Sequence, residues 1–586
     1  MGAFFIYKKN KLSNAKPALD LFAEMGFASP TSFEIGEWAI YAYPKMAVDN
    51  ASIVSNHNCT LISVGTPIYR GLDYTGSLAA LQRDYLCGGI DHEQLIGQYT
   101  ILFSHKNTID ILCDPLGCKH VFTDVNHNIL SSHMLPICQC VDELHVNKKA
   151  FYEKFLTGII MPPNTLFEEI IQIDKQIAER LSHEDQGIKF IQLDIDSLHA
   201  SGSGAKTFKD CLSEQSDTLR KYFELLHHAG KDGIDIGLSG GYDSRLALAC
   251  LNKYCKGRIH LHSHATENDH RKDLMIANQM AGYIGVPCHT VATKKLCHCG
   301  HVDEVLRKSV LYFDGRSSFS IGGCGEVYTA SYRKESTENM SFTLTGVGGE
   351  LYRNIFDIGF RNIRFDRFME DKVFSSNFQK ALPDDLYREL KDDIITRSAL
   401  RLGVDQRSNQ PKSIAHRYYC EIMMPDGQGV SLDAYNQVSC CVAPFLELRI
   451  IRKGYEAVRF HRSGGEFEGK LIASIDPGLA AIPSIYGYPI GKRPIKAKIK
   501  ESLRSFIPFS MWERLSTWTK KDEFHIESAL DELYANSLTL KEAYAFLTEL
   551  FPEIDFSCLL RSNEDIRRIQ FVAMTLYLFK ERIKAN

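Results

Sequence analysis

The residues Asp235-Ile236-Gly237-Leu238-Ser239-Gly240-Gly241-Tyr242-Asp243-Ser244-Arg245 set an apolar run, adjacent glycines, two hydroxyls and a carboxylate in an order suited to holding phosphate. Two glycines let the backbone turn sharply and bring N–H groups close to an anion. A helix opening after them adds its dipole and unpaired N–H donors. Ser239 and Ser244 can donate to phosphate oxygens from such a nest, and Asp243 can hold the loop or position a metal-bound phosphate. A bare Ser-Gly-Gly reads equally well as a tight turn with no ligand. The complete pattern at a strand-to-helix junction is much harder to reach by chance.

Other clusters carry less. Cys297-His298-Cys299-Gly300-His301 has soft ligands, but nearly adjacent and without a second cysteine pair, so it reads as structural or exposed, as do Cys138 and Cys140. Ser201-Gly202-Ser203-Gly204-Ala205-Lys206-Thr207 imitates a nucleotide-binding loop, yet Lys206 follows no glycine and no strand precedes it directly. His260, His262 and His264 fall near the C-terminal end of a predicted strand, where α/β proteins bind ligands; one could touch a nucleotide, and packing is the plainer reading. Lys492-Arg493, Lys496, Lys498 and Lys500 form a basic run, read as a solvated face except for Lys492.

The elements that position these residues follow from periodicity. Short apolar or alternating runs at Trp38–Tyr43, Thr60–Val64, Tyr99–Ser104, Ile109–Cys113 and Phe190–Leu193 predict a β-rich N-terminal domain over residues 1–197. Ser197–Lys206 is small, polar and glycine-bearing, as a linker is. Beyond it, Phe208, Leu212, Leu219, Phe223 and Leu226 recur at helical spacing. The strand Ile234–Leu238, the glycine turn and a helical run from Arg245 follow. Strands at Arg258–Ser263 and Phe342–Thr345, alternating with helices such as Asp273–Ile284, predict a parallel, helix-covered α/β domain over 207–500. Residues 501–586 read as a helical extension, with Ile566–Ile583 a long amphipathic helix.

Composition bounds the class. A length of 586 residues suggests two to four domains at about 100–200 residues each. Lys and Arg total 68 against 72 Asp and Glu, a balance that argues against a dedicated nucleic-acid or anionic-membrane binder. No apolar run is long enough to span a bilayer. The start, MGAFFIYKKNKLSNAKPAL, lacks the cationic lead of a secretion signal, and position 6 lacks the Ser or Thr of a myristoylation motif. The 17 cysteines are scattered and mostly in apolar runs, as reduced thiols are, so a soluble cytoplasmic protein is expected.

Ser-Gly-Gly-x-Asp-Ser is the pyrophosphate loop of the N-type ATP pyrophosphatases, and the chain resembles their asparagine synthetase family. Further stretches follow in that family's order: Asp273-x3-Ala277-x3-Ala281-x3-Gly285, Thr345-Gly346-Val347-Gly348-Gly349-Glu350, Val442-Ala443-Pro444-Phe445-Leu446-Glu447, then Lys470, Ile482-Pro483 and Lys492. Leu112-Cys113-Asp114-Pro115-Leu116-Gly117 and Leu130-Ser131-Ser132 resemble glutaminase-domain motifs. The resemblance, over roughly residues 60–495, implies an α/β protein. Its N-terminal α+β domain is similar to the Ntn hydrolases, followed by a parallel-sheet pyrophosphate-loop domain with a helical C-terminal region.

Two departures matter. The class II glutaminase needs an N-terminal cysteine, whose thiolate attacks the amide while its own amino group acts as base. Residue 2 is Gly, and the amide-binding Asn-Gly-Glu is replaced by Val64-Gly65-Thr66-Pro67-Ile68-Tyr69. The N-terminal domain is therefore expected not to hydrolyse glutamine, and either shapes the substrate site or stabilises the fold. In the second glycine loop, Val347 stands where the family places Glu, or Tyr in its β-lactam-forming branch, and valine accepts no proton. That loop is also one residue shorter than the family's.

The resemblance implies adenylation of a substrate carboxylate by ATP with Mg²⁺, release of pyrophosphate, and displacement of AMP by an amine. Ser239, Gly240, Gly241, Asp243 and Ser244, with Gly346 and Gly348, would bind ATP and its pyrophosphate. Asp243 and Glu350 would hold Mg²⁺, and Lys492, with Lys470 second to it, would stabilise charge at the acyl centre beside Glu350. The expected partners are a small-molecule or peptide carboxylate and an amine or ammonia donor, as in the β-lactam synthetases and lasso-peptide cyclases. A homodimer is compatible with this reading; no nucleic acid or membrane is expected. Two rivals remain: sulfur transfer to RNA by the same adenylation, and a nucleotide-binding pseudoenzyme acting as a regulatory partner.

Overall fold

A computed structural model describes residues 2–48, 53–184, 187–191, 206–255, 257–266, 271–293, 296, 299–316, 325–336, 340–359, 362–461, 465–490, 492, 494, 495, 499 and 526–584. The architecture is mixed α/β with a parallel sheet and a helical C-terminal region. The first 191 residues hold two large sheets. One comprises β1 (Ala3–Lys8), β2 (Thr31–Ile35), β3 (Trp38–Tyr43), β8 (Phe122–Asp124), β9 (Ile129–Ser131) and β10 (Ile170–Gln172), in the order β10-β8-β9-β1-β3-β2. The other comprises β4 (Ile53–Ser55), β5 (Cys59–Gly65), β6 (Tyr99–His105), β7 (Thr108–Cys113) and β11 (Ile188–Ile191), in the order β11-β7-β6-β5-β4.

Alternation explains how these sheets pack. Phe4, Ile6, Trp38, Ile40 and Leu130 from one sheet meet Ile62, Val64, Leu102, Ile109 and Ile111 from the other in a shared apolar layer. The intervening residues, such as Phe5 and Tyr43 or Leu61 and Phe103, face outward into a second core. Helix α1 (Lys16–Glu24) covers one outer face, where Phe22 stacks on Tyr43 at 4.3 Å. Helix α2 (Tyr74–Leu86) starts at Asp73, whose carboxylate accepts from Gly76 N at 2.8 Å; it covers the other.

Helix α3 (Phe208–Ala229) opens with a reciprocal box in which Thr207 and Asp210 satisfy each other's backbone N–H. It leads into a five-stranded, all-parallel sheet of β12 (Ile234–Gly237), β13 (Ile259–Thr266), β14 (Cys288–Thr293), β15 (Phe342–Leu344) and β16 (Cys441–Val442). Its order, β14-β13-β12-β15-β16, puts a reversal of winding beside β12. Helices α4 (Asp243–Tyr254) and α5 (Arg271–Ile284) follow β12 and β13. Between β15 and β16 runs a long helical insertion ending in a π-helical stretch, Tyr419–Gln428, and α6 (Gly429–Val438). Helix α7 (Glu466–Ile475) packs on α4 and α3.

One expectation changes. The amphipathic helix predicted to reach Ile583 is α8 (Asn563–Tyr577); Ile583 and Lys584 instead pair in parallel with Leu144 and His145. Strand pairing across the molecule offers the chain end backbone partners that a frayed helical turn lacks. Lys206, the lysine of the nucleotide-loop imitation, is ion-paired with Glu214 and Glu456, both at 2.5 Å. The rest of that imitation, residues 201–205, lies outside the described residues, as do Cys297, His298, Arg493, Lys496, Lys498 and Lys500. Fifteen described cysteines are free thiols. No helix among the described residues is long and apolar enough to cross a membrane.

Candidate functional site

The strand β12 ends at Gly237, and the chain turns through Leu238–Tyr242 into α4 at the C-terminal edge of the parallel sheet. Leu238 N donates to His262 O at 2.7 Å, tying the turn to the neighbouring strand. Ser239 N donates to Ser244 Oγ at 3.1 Å, the two hydroxyls lie 3.1 Å apart, and Gly241 N donates to Ser239 Oγ at 3.3 Å. Both serines thus face the inside of the turn. Gly240 N donates to Asp273 Oδ1 at 2.6 Å, so a carboxylate from α5 already sits on one loop N–H.

The second glycine stretch lies directly against the first. A methyl on Gly346 would come within 2.8 Å of Ser244 N, and one on Gly349 within 2.5 Å of Asp243 Oδ1. Gly348 adopts φ +90° with Phe445 O and Leu446 Cδ2 about its missing side chain at 3.0 and 2.9 Å. Three stretches far apart in sequence therefore meet: Ser239–Ser244, Gly346–Glu350 and Pro444–Glu447. A side chain at any of these glycines would push them apart.

Charge at the site is organised by a residue to which sequence reading assigned no role. Arg353 donates from one Nη to both Asp243 oxygens at 2.7 Å, lies 3.4 Å from Glu350, and brings its Nε within 3.3 Å of Glu468, which is fully buried. Burial, then the neighbouring carboxylates, push Asp243 and Glu468 upward in pKa against the pull of Arg353. Tyr419, from the π-helical stretch, donates to Glu350 Oε2 at 2.8 Å. Asp243 and Glu350 keep part of their carboxylate surface open. Three carboxylates around one guanidinium leave the site net negative when ionised. Two partly open carboxylates beside the turn fit Mg²⁺, which takes one or two carboxylates and completes its shell from phosphates and water.

Arg245, next after the motif, was also unassigned. It is fully buried and donates to the carbonyls of Leu479, Ile482 and Pro483, the last at 3.0 Å. This holds the strap 479–485 over the turn, where Ile485 N donates to Gly240 O at 3.2 Å. The structure thus brings Ser239, Gly240, Gly241, Asp243, Ser244, Gly346, Gly348 and Glu350 together. Lys470 lies on the exposed face of α7 and Lys492 is exposed beyond the strap; among the described residues neither ammonium bonds the turn.

The N-terminal region grips the same neighbourhood. Gly97 N donates to Glu447 Oε1 at 2.6 Å, and burial lifts that carboxyl to about 7. Gln98 bonds both N and O of Ala443, and Lys119, His120 and Arg316 converge on buried Asp433. Residue 2 is packed shut: a methyl on Gly2 would lie 2.6 Å from Phe27 Cε1 and 2.9 Å from the carbonyls of Gln437 and Pro44. Lys45 Nζ donates to Asn436 O at 2.6 Å and Ser439 O at 3.1 Å, and Thr66 Oγ1 to Asn436 Oδ1 at 2.6 Å. Asp114 turns inward to accept from the N–H groups of Leu116, Cys118 and Lys119, shaping a loop. Cys138 is buried and Cys140 half-buried, with thiols pushed up by burial, as packing cysteines are. No protein-family model and no curated protein matches the chain.

Proposed function

We infer that the chain is an ATP-dependent, amide-forming ligase of the asparagine synthetase type that lacks a glutaminase of its own. The observation that carries this reading is the meeting of Ser239–Ser244, Gly346–Glu350 and Pro444–Glu447 at the C-terminal edge of a parallel sheet beside its winding reversal. Ligands of open α/β sheets bind at that place. The parallel sheet is accordingly read as a pyrophosphate-loop domain, and the two face-to-face N-terminal sheets as a degenerate Ntn-hydrolase-like unit.

On this reading a substrate carboxylate attacks the α-phosphorus of the co-substrate ATP, pyrophosphate leaves, and an amine or ammonia then displaces AMP to give an amide. Ser239, Gly240, Gly241, Asp243 and Ser244, backed by Gly346 and Gly348, cradle the pyrophosphate, which displaces the Asp273 carboxylate from Gly240 N. Asp243 and Glu350 would hold Mg²⁺, whose chemistry there is to neutralise charge on the departing phosphates. Arg353 orients both carboxylates. Tyr419 braces Glu350 as a metal ligand, and the proton acceptor that Val347 lacks comes from elsewhere. Lys492, with Lys470 second to it, would stabilise charge at the acyl centre; both are exposed. The closed packing around Gly2 supports a scaffolding role for the N-terminal region.

One observation favours the pseudoenzyme instead: a guanidinium already bridges the two carboxylates that Mg²⁺ would use. The sulfur-transfer reading gains no support, since Cys250 and Cys441 are buried with thiols pushed up. ATP–pyrophosphate exchange with Mg²⁺, scanned over pooled amino, uronic and peptide acids, separates these. Acid-dependent exchange, lost by at least about 100-fold in a folded Asp243→Asn, is expected. ATP binding without exchange supports the pseudoenzyme, and no ATP binding overturns both readings.

A further inference from the structure

On the two strands that lead into and flank the turn lies a cluster that the ligase reading does not use. On β13 the sequence Ile259-His260-Leu261-His262-Ser263-His264 alternates, so His260 and His262 project from one face of the sheet. The parallel register sets Asp235 of β12 beside His260, and Gly237 beside His262. Because Gly237 carries no side chain, the His262 ring can lean across it; a methyl there would sit 3.1 Å from His262 Nε2. Both imidazole Nδ1 atoms then reach the same oxygen, Asp235 Oδ1, at 2.7 and 2.8 Å. The three side chains are buried, and their donor atoms lie within 4.8 Å of one another.

One carboxylate oxygen has room for two donors, so these contacts also suit a hydrogen-bonded histidine pair; the ligand chemistry of the three side chains and their common burial point further. Here two imidazole nitrogens and one carboxylate oxygen, all buried, lie within 4.8 Å of one another. Imidazole with carboxylate is the donor set of borderline divalent ions rather than of Mg²⁺ or Ca²⁺. We propose that Asp235, His260 and His262 form a binding site for a divalent transition-metal ion of the Zn²⁺ class, ligated through Oδ1 and the two Nδ1 atoms. Each imidazole then carries its proton on Nε2. Bonds of about 2.0–2.2 Å at tetrahedral angles put donors roughly 3.3 Å apart, so each imidazole must draw back from Asp235 Oδ1 by about half an ångström to admit the ion. The ion would clip β12 to β13 at Asp235, three residues before Leu238 N meets His262 O, stiffening the base of the turn. This site stands whether or not the chain is a ligase.

The test uses the full chain without a histidine tag, stripped by a chelator and titrated with Co²⁺ as a spectroscopic probe. One equivalent should give the visible bands of low-coordinate Co²⁺ without thiolate charge transfer, together with two hyperfine-shifted, exchangeable imidazole N–H signals. His262→Gln should weaken binding by more than the roughly 10–100-fold that losing a group hydrogen-bonded to a ligand costs. His264→Gln, on the same strand but outside the trio, should leave binding unchanged. Absence of stoichiometric uptake by the wild-type chain, a thiolate charge-transfer band, loss of binding in His264→Gln, or undiminished affinity in a folded His262→Gln each overturns the site and leaves a hydrogen-bonded histidine pair. The wild-type spectrum decides even if His262→Gln does not fold.

Discussion

Replacing Arg353 by methionine would leave Asp243, Glu350 and the fully buried Glu468 facing one another without a cation. Breaking a buried pair from one side typically costs about 3–5 kcal/mol, because the abandoned charge stays desolvated. Arg353→Met should therefore lower the urea midpoint by that equivalent, and adding Glu468→Leu to it should restore part of the loss. An unchanged midpoint in the single variant would show that Glu468 is already protonated and needs no partner. The same residue explains why the site could be read only in part from its motif. Ser239, Gly240, Gly241 and Ser244 announce themselves through local turn chemistry, whereas Arg353 meets Asp243 across 110 positions of sequence.

At the scale of elements, the turn is held from above by the strap 479–485 and from the side by the second glycine stretch. A methyl on Gly240 would lie 2.2 Å from Ile485 Cγ2 and 2.9 Å from Asp273 Oδ1, so Gly240→Ala displaces the strap or the α5 contact. On the ligase reading, Gly240→Ala should reduce nucleotide affinity at least about tenfold, roughly 1.4 kcal/mol, with far-ultraviolet dichroism unchanged. Gly282, within α5, has open space where its side chain would be and no unusual φ. Gly282→Ala should raise stability by about 0.5–1 kcal/mol through the unfolded chain's lost freedom, with nucleotide binding intact. Calorimetric titration of both variants checks the pair; equal affinity in Gly240→Ala would remove the strap from the site. The strands and helices flanking the turn were legible because periods of two and 3.6 are local. The long insertion between β15 and β16 was not, and with it came Tyr419.

Over the whole molecule, the N-terminal region and the parallel-sheet region share buried polar joints, of which Glu447 to Gly97 is one. Burial lifts the Glu447 carboxyl to about 7 from an ordinary glutamate value. The folded state then binds a proton that the unfolded state has released, so this group lowers stability as pH rises from about 4.5 to 7, and by a constant amount above that. Glu447→Gln keeps an acceptor for Gly97 N and does not titrate. Its stability relative to wild type should grow through that window and level off near pH 7.5, as read from urea melts across pH. A flat difference would mean that water reaches Glu447 and keeps it ionised.

The sequence by itself determined the periodic elements, the strand-turn-helix that carries Ser239–Ser244, and the absence of both a nucleophile at residue 2 and a proton acceptor at position 347. Each depends on a residue's own chemistry or on neighbours within a few positions. Only the tertiary structure decided that Arg353 bridges Asp243, Glu350 and Glu468, that Arg245 holds the strap, that residue 2 is packed shut, and that the chain end pairs with Leu144 and His145. These are contacts between distant segments, set by which surfaces can be buried together with their charges and hydrogen bonds satisfied. No local period encodes that condition.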